Sequence, residues 1–334
     1  MIISLSSMRS NWRMKTIGMA LWLGVLLAGC VNLKLQSRAW DPPPYYALER
    51  YAQIENLKIC YLECGDQNRQ AIVFIHGLSG NAENWWDQFE AFRDDYHVII
   101  PDLPGHGKSS KPFDFEYSVP SFAKVVVELL DQLNIPEAVV VGNSLGGAIA
   151  GYIAIHYPER VSRLVLSDSA GLGINPLLKA ATPLVSPALV RLTGVTSARQ
   201  YPGPSLKDRA RADFSASYRG TREEYFYLSA IDKALKQVAK FDFEPDLGKI
   251  QAKTLVIWGT DDLTVPAQKA RVFDEKIPDS ELYWVKDGGH TPNMLLPGEF
   301  NCALKNFMAD QELEPCHELG EAERKRLEKE KAKR

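Results

Sequence analysis

The sequence predicts a doubly wound α/β domain: a mostly parallel sheet with helices on both faces and a helical lid or cap inserted into it. Three observations carry that prediction. Short runs rich in β-branched residues alternate with helix-length stretches from about residue 51 onward, and parallel strands covered on both faces read as continuous apolar runs. The alternation stops between residues 170 and 247 and then resumes, as an insertion would make it do. The chain of 334 residues, with 45% hydrophobic and 24% charged side chains, can bury a large core, which excludes disordered, collagen-like and coiled-coil classes. A net charge of −3 carries no electrostatic footprint for nucleic acid.

In chain order, the expected strands run from Leu57 to Leu62, Ala71 to Ile75, His97 to Ile100, Ala138 to Val141, Val161 to Leu166, Thr254 to Trp258 and Glu281 to Val285. Helices are expected near 82–93, 121–133, 145–157, 266–276 and 298–310, so the core comprises 51–169 and 248–310. Because strands and helices alternate, the strands should pair in parallel. The insertion, 170–247, holds prolines at 176, 183, 187, 202 and 204 and then the aromatic-rich helical run EEYFYLSAIDKALKQVAKF. It reads as a lid over one edge of the sheet.

The two ends differ from this core. Arg9, Arg13 and Lys15 precede an uncharged apolar run, Thr16 to Gly29, which has the length of a signal-peptide core and is short for a membrane span of about 20 residues. Met8 and Met14 are alternative starts that keep a basic segment ahead of that run. The run ends in Leu27-Ala28-Gly29-Cys30, which resembles the lipobox of bacterial lipoproteins. That resemblance implies a signal peptide at 1–29 and a Cys30 that carries lipid, hence a membrane partner and a cell-envelope location. Val31 in place of Asp favours the outer over the inner membrane. The competing reading is an uncleaved anchor with an incidental Cys30. Residues 30–50, with Pro42-Pro43-Pro44, form a stiff spacer. The tail at 311–334 is charged at 11 of its last 14 positions. It lacks an apolar face and should be solvated and partly helical, with contact to anionic head groups as its functional alternative.

Export would place the other four cysteines in an oxidising compartment. Cys302 in a C-terminal helix and Cys316 just beyond it could bridge and tie down the tail. Cys60 and Cys64 share a strand, where four residues span about 13 Å, too far for a disulfide. No spacing suggests a zinc site, and no phosphate loop or dinucleotide fingerprint is present, so neither metal nor cofactor is expected.

The chemistry centres on Gly142-Asn143-Ser144-Leu145-Gly146 between a strand and a helix. Glycines flank the serine because the turn strains its backbone and leaves no room for neighbouring side chains. In the chain order serine, acid, histidine, only His156, His290 and His317 follow Ser144. His156 lies in the helix behind the turn and His317 in the polar tail, which leaves His290 in its Gly-flanked loop as the base.

These motifs resemble the α/β-hydrolase fold family over most of 50–310. Ile75-His76-Gly77-Leu78-Ser79-Gly80 is similar to its oxyanion loop and Asp102-Leu103-Pro104-Gly105-His106-Gly107-Lys108-Ser109 to its D-x-x-G-x-G-x-S turn. Trp258-Gly259-Thr260-Asp261-Asp262 resembles the segment holding the acid, and Gly289-His290-Thr291-Pro292 the loop holding the base. The resemblance implies a Ser144, Asp262, His290 triad, with Asp168 and then Asp261 as the next candidates for the acid. It implies oxyanion donors at the backbone amides of Leu78 and Leu145. His76 and His106 are expected to brace loops, while Asn143 either lines the pocket or faces solvent. Leu295 departs from relatives that carry an acidic residue there.

A serine nucleophile points away from dehalogenase and epoxide hydrolase relatives, which use Asp. HGLSGNAENW and GNSLGG resemble bacterial lipases, esterases and monoacylglycerol-lipase-like proteins, implying hydrolysis of a small-molecule or lipid ester through an acyl-enzyme. GNSLGG with Ser169-Ala170-Gly171-Leu172-Gly173 also resembles carbon–carbon hydrolases of the meta-cleavage type, whose cytoplasmic substrates fit poorly with export. A non-catalytic binding protein on the same scaffold is the third reading. Oligomeric state and acyl-chain preference have no signal in the sequence.

Overall fold

The structure, a computed structural model, describes residues 48–173, 182–193, 221–313 and 316–331. The apolar leader, Cys30, the Pro-rich spacer and the prolines at 176, 202 and 204 lie outside them. No helix among the described residues is long and apolar enough to cross a membrane.

Eight strands form one sheet: β1 (Glu49–Ile54), β2 (Leu57–Cys64), β3 (Ala71–Ile75), β4 (His97–Pro101), β5 (Ala138–Asn143), β6 (Val161–Ser167), β7 (Lys253–Gly259) and β8 (Ser280–Val285). They are ordered β1-β2-β4-β3-β5-β6-β7-β8. From β4 to β8 all pairs are parallel, while β1–β2 and β2–β4 are antiparallel. Strand β1 was not expected. It is an edge strand that buries only Ala52 and Ile54, too little apolar signal to stand out. Glu55, at φ +50, turns it directly into β2.

The period-2 alternation of strand side chains divides the core. Ile72 and Phe74 of β3 face one layer with Val139, Val141 and Ile257, while Val73 and Ile75 face the other with Val140, Leu164 and Val256. The first layer is covered by α1 (Trp86–Phe92) and Trp85. The second is covered by α2 (Val119–Gln132) and α3 (Leu145–His156). Ser118 caps α2 by accepting from the Ser121 amide, and Val119, Phe122, Val126 and Leu130 form its buried stripe. Helix α3 is buried on nearly every side, as its continuous apolar sequence requires.

The insertion contributes α4 (Pro187–Thr193) and α5 (Arg222–Val238). They share a small core of Val190, Tyr227, Leu228 and Ile231, against which Leu78 of the main domain packs. The chain leaves and rejoins the main domain at one place, because Leu172 bridges Asp242 in antiparallel fashion. Lys269 of α6 (Gln268–Lys276) donates to the carbonyls of Leu172 and Gly173 at 3.0 and 2.6 Å, stapling the start of the cap to the core.

Beyond β8 come one helical turn at Pro292–Leu295, then α7 (Pro297–Met308) and α8 (His317–Lys331). A disulfide joins Cys302 to Cys316, with Cα atoms 5.5 Å apart. Cys60 and Cys64 both lie in β2 as free thiols, and burial pushes the Cys64 thiol up to about 12. The tail, expected to be solvated and partly helical, is helical and exposed at Glu321, Lys325, Glu328 and Lys329, but its first turns are docked rather than free. Its contact is polar: the fully buried Glu299 carboxylate accepts from Tyr283, His317 and Arg324 at 2.9 to 3.1 Å. An apolar face was the wrong requirement, because a buried carboxylate offers four lone-pair sites to charged and polar donors.

Candidate active site

Each candidate catalytic side chain follows the C-terminal end of a parallel strand: Ser144 after β5, Asp262 after β7 and His290 after β8. Strand β5 delivers Ser144 with φ +56 and ψ −116, a backbone strained for any residue but glycine. Two neighbours make this turn possible. A Cβ on Gly142 would lie 2.1 Å from the Gly146 carbonyl oxygen, and one on Gly146 would lie 2.0 Å from that of Ile75. Ser144 therefore stands at the head of α3, whose first amide, that of Leu145, has no acceptor within the helix.

The loop after β3 packs against this turn. A Cβ on Gly77 would come 3.2 Å from the Ser144 Cβ, which places Leu78 between the serine and the cap core. The loop is held from behind by His76, whose Nε2 accepts from the Leu103 amide while Nδ1 donates to the Gly77 carbonyl at 2.8 Å. These two bonds specify the neutral tautomer, and burial lowers the imidazole's affinity for a proton. His106, 5.1 Å away between ring centroids, donates to the Pro104 carbonyl and is driven well below the ordinary histidine range by burial. Asp102 completes the scaffold by accepting from the amides of Ala82 and Lys108. From the cap, the Tyr227 hydroxyl donates to Ser79.

Of the three candidate acids, Asp262 meets the histidine: its Oδ2 accepts from His290 Nδ1 at 2.8 Å. Its Oδ1 accepts from the amides of Thr264 and Val265 at 2.7 and 3.1 Å, which fixes the carboxylate plane. With Nδ1 donating to Asp262, the lone pair of the neutral imidazole is on Nε2. Asp168 lies beside this pair but is fully buried and otherwise engaged, accepting from the Gly259 amide and the Ser167 hydroxyl at 2.9 Å each. Burial first, and then the neighbouring Asp262 charge, push its carboxyl well above the usual range. Asp261 turns away and accepts from the Gly289 amide at 2.8 Å, bracing the histidine loop.

Asn143 does not face solvent. It is buried, and its amide donates to the carbonyls of Ser167 and His290 at 3.2 and 3.0 Å, tying the serine turn to the histidine loop. That role, like the brace from Asp261, depends on backbone groups far away in sequence, so no local pattern signals it. Asp168, Asp262 and His290 form a close group of potential ligating atoms, but each carboxylate is already committed to backbone amides and Nδ1 to Asp262. A separate cavity of about 300 Å³ opens at the cap seam, lined by Ser109, Lys111, Glu223 and Phe226, and shares no residue with this group.

A strained serine between β5 and α3, a buried carboxylate after β7 and a histidine after β8, set on this sheet order, define a hydrolase scaffold. The chain belongs to the α/β-hydrolase fold family, whose profile matches residues 70–296, and it is a catalytic member of that fold. It is 30% identical over 255 residues to a 2-hydroxy-6-oxo-6-phenylhexa-2,4-dienoate hydrolase of Burkholderia cepacia, a match covering 72% of this chain and 88% of that protein. It is 31% identical over 251 residues to lipase 3 of Moraxella sp. strain TA144, covering 70% and 76% respectively. Among solved structures, a bacterial membrane phospholipase A described as a virulence factor superposes with a TM-score of 0.64 at 28% identity, covering 78% of this chain and 86% of that one.

Proposed function

We propose that the protein is a serine hydrolase that cleaves a bond to a carbonyl carbon. The observation that carries this reading is the 2.8 Å His290 to Asp262 bond in a loop that Asn143, the residue preceding the strained Ser144, holds by its backbone. His290 Nε2 takes the Ser144 proton as Oγ attacks the carbonyl carbon, and Asp262 stabilises the imidazolium. The amides of Leu145 and Leu78 receive the oxyanion. The proton passes to the leaving group, and water activated by the same histidine releases the acyl group from Ser144.

Two bond types fit this sequence of steps. Cleavage of a carbon–carbon bond in a vinylogous keto acid is favoured by the dienoate hydrolase, of whose length 88% is matched. Cleavage of a carboxylic ester is supported by the lipase and the phospholipase and by the lipobox-like segment ending in Cys30. In the ester reading, lipid on Cys30 holds the enzyme at the bacterial envelope, close to its substrates.

Purified protein offered ring-fission dienoates and p-nitrophenyl esters of graded chain length separates the two by relative kcat/KM. Ser144→Ala should lower kcat by about 10⁶ and Asp262→Asn by about 10⁴. Equal, slow turnover of every substrate by the wild type and Ser144→Ala would remove the hydrolase reading altogether.

A further inference from the structure

We infer that the C-terminal helix α8 positions His290 for the reaction, with Arg324 as the positioning residue and Glu299 as its anchor. This rests on the serine hydrolase reading for its meaning, though not for its geometry. The sequence presents this helix as a charged appendage, yet it touches the strand end from which the histidine loop springs. Arg324 Nη1 carries two protons and directs them to two acceptors, the Glu299 carboxylate and the Lys286 carbonyl, each at 3.0 Å. Lys286 is the first residue after β8, four before His290.

The loop is thereby held from two sides. On one, the acid loop supplies the Thr260 hydroxyl to the Asp287 amide at 3.2 Å and the Asp261 carboxylate to the Gly289 amide at 2.8 Å. On the other, Arg324 fixes the Lys286 carbonyl. With Asp287 and Gly289 both at positive φ, the segment reaches His290 through two left-handed residues. Its height above Asp262 is then set by where each end is pinned.

The guanidinium is itself fixed. Glu299 is fully buried and also accepts from Tyr283 and His317. The helix is keyed in place twice more: Glu323 accepts from the Gly298 and Glu299 amides, and the disulfide holds Cys316 against α7. At Gly320 the helix approaches so closely that a Cβ would fall 1.6 Å from Glu299 Oε2 and 2.4 Å from its Cδ, so a side chain there would have to displace the carboxylate that Arg324 engages. The second nitrogen, Nη2, reaches the His317 carbonyl at 3.5 Å, so the planar fork spans a carboxylate and two carbonyls at once, a reach that a single lysine ammonium lacks.

The test compares the full-length wild type, Arg324→Lys, and the double variant Glu299→Gln with Arg324→Gln, which removes the buried charge together with its partner so that the fold is kept. The readouts are kcat and KM on the best substrate of the panel above, and the downfield NMR resonance of the His290 Nδ1 proton shared with Asp262. Positioning predicts about tenfold or greater loss of kcat with KM within about twofold, and a broadened or missing resonance in the double variant. Arg324→Lys should fall between the two. Folded variants with wild-type kcat and an unchanged resonance would overturn the inference, and Arg324→Lys alone decides the matter if the double variant does not fold. Because the resonance needs no turnover, an inactive wild type would remove the hydrolase reading while still testing the role of Arg324.

Discussion

At the scale of single residues, the site is built from side chains whose backbones or protonation states are unusual. Ser144 and Asp168 both stand at positive φ, +56 and +44, at the ends of neighbouring strands. Among Asp168, Asp261 and Asp262 the sequence offers three carboxylates within reach of the motif; all three accept from backbone amides, and only Asp262 does so through one oxygen while turning the other to His290. The pair His76 and His106 sets a pH dependence of stability. Burial lowers both, so below the ordinary value of 6.5 the unfolded chain binds protons that the folded chain refuses. Stability contributed by the pair is therefore lost as pH falls through 6.5, with a slope of up to about 1.4 kcal/mol per pH unit for each histidine. Urea unfolding above and well below pH 6.5 should show a shallower pH dependence in His106→Gln than in the wild type. An unchanged slope would mean that His106 takes up its proton in the folded state.

Among elements, legibility followed how each one is stabilised. Strands β2 to β8 and helices α1, α2, α3, α6 and α7 were readable because their apolar runs and periodicity are local. Strand β1 was missed because it buries two small patches at an edge, and the docking of α8 because polar groups seat it. The disulfide at the start of α8 closes a loop of 14 residues in sequence separation, a length for which chain-entropy arguments give a stabilisation of about 3 kcal/mol. Replacing Cys302 and Cys316 together by serine should lower the urea midpoint accordingly, and reducing agent should lower it in the wild type but not in the double variant. Equal midpoints for all four samples would show that the bridge adds nothing to stability.

For the molecule as a whole, the cap is the element that packs nearest the serine turn. The cap is fastened to the core by the Leu172 to Asp242 bridge and by Lys269, and its inner core touches the main domain through Leu78, beside the serine. The proposed lipid anchor is a separate matter at the other end of the chain. Radiolabelled palmitate should enter the wild type and be absent from Cys30→Ser, which should also leave the membrane fraction. Label retained by the variant would exclude Cys30 as the acceptor.

The amino-acid sequence by itself determined the strand and helix order, the serine turn and the histidine loop, because glycine placement, β-branched runs and chain order act over a few residues. Only the tertiary structure decided which carboxylate faces His290, what Asn143 holds and where the last helix lies. Those outcomes depend on donors and acceptors such as Asn143 and His290, 147 positions apart, or Lys286 and Arg324, 38 apart. A polar group's partner is set by which loops the sheet brings together, and that is a property of the assembled fold.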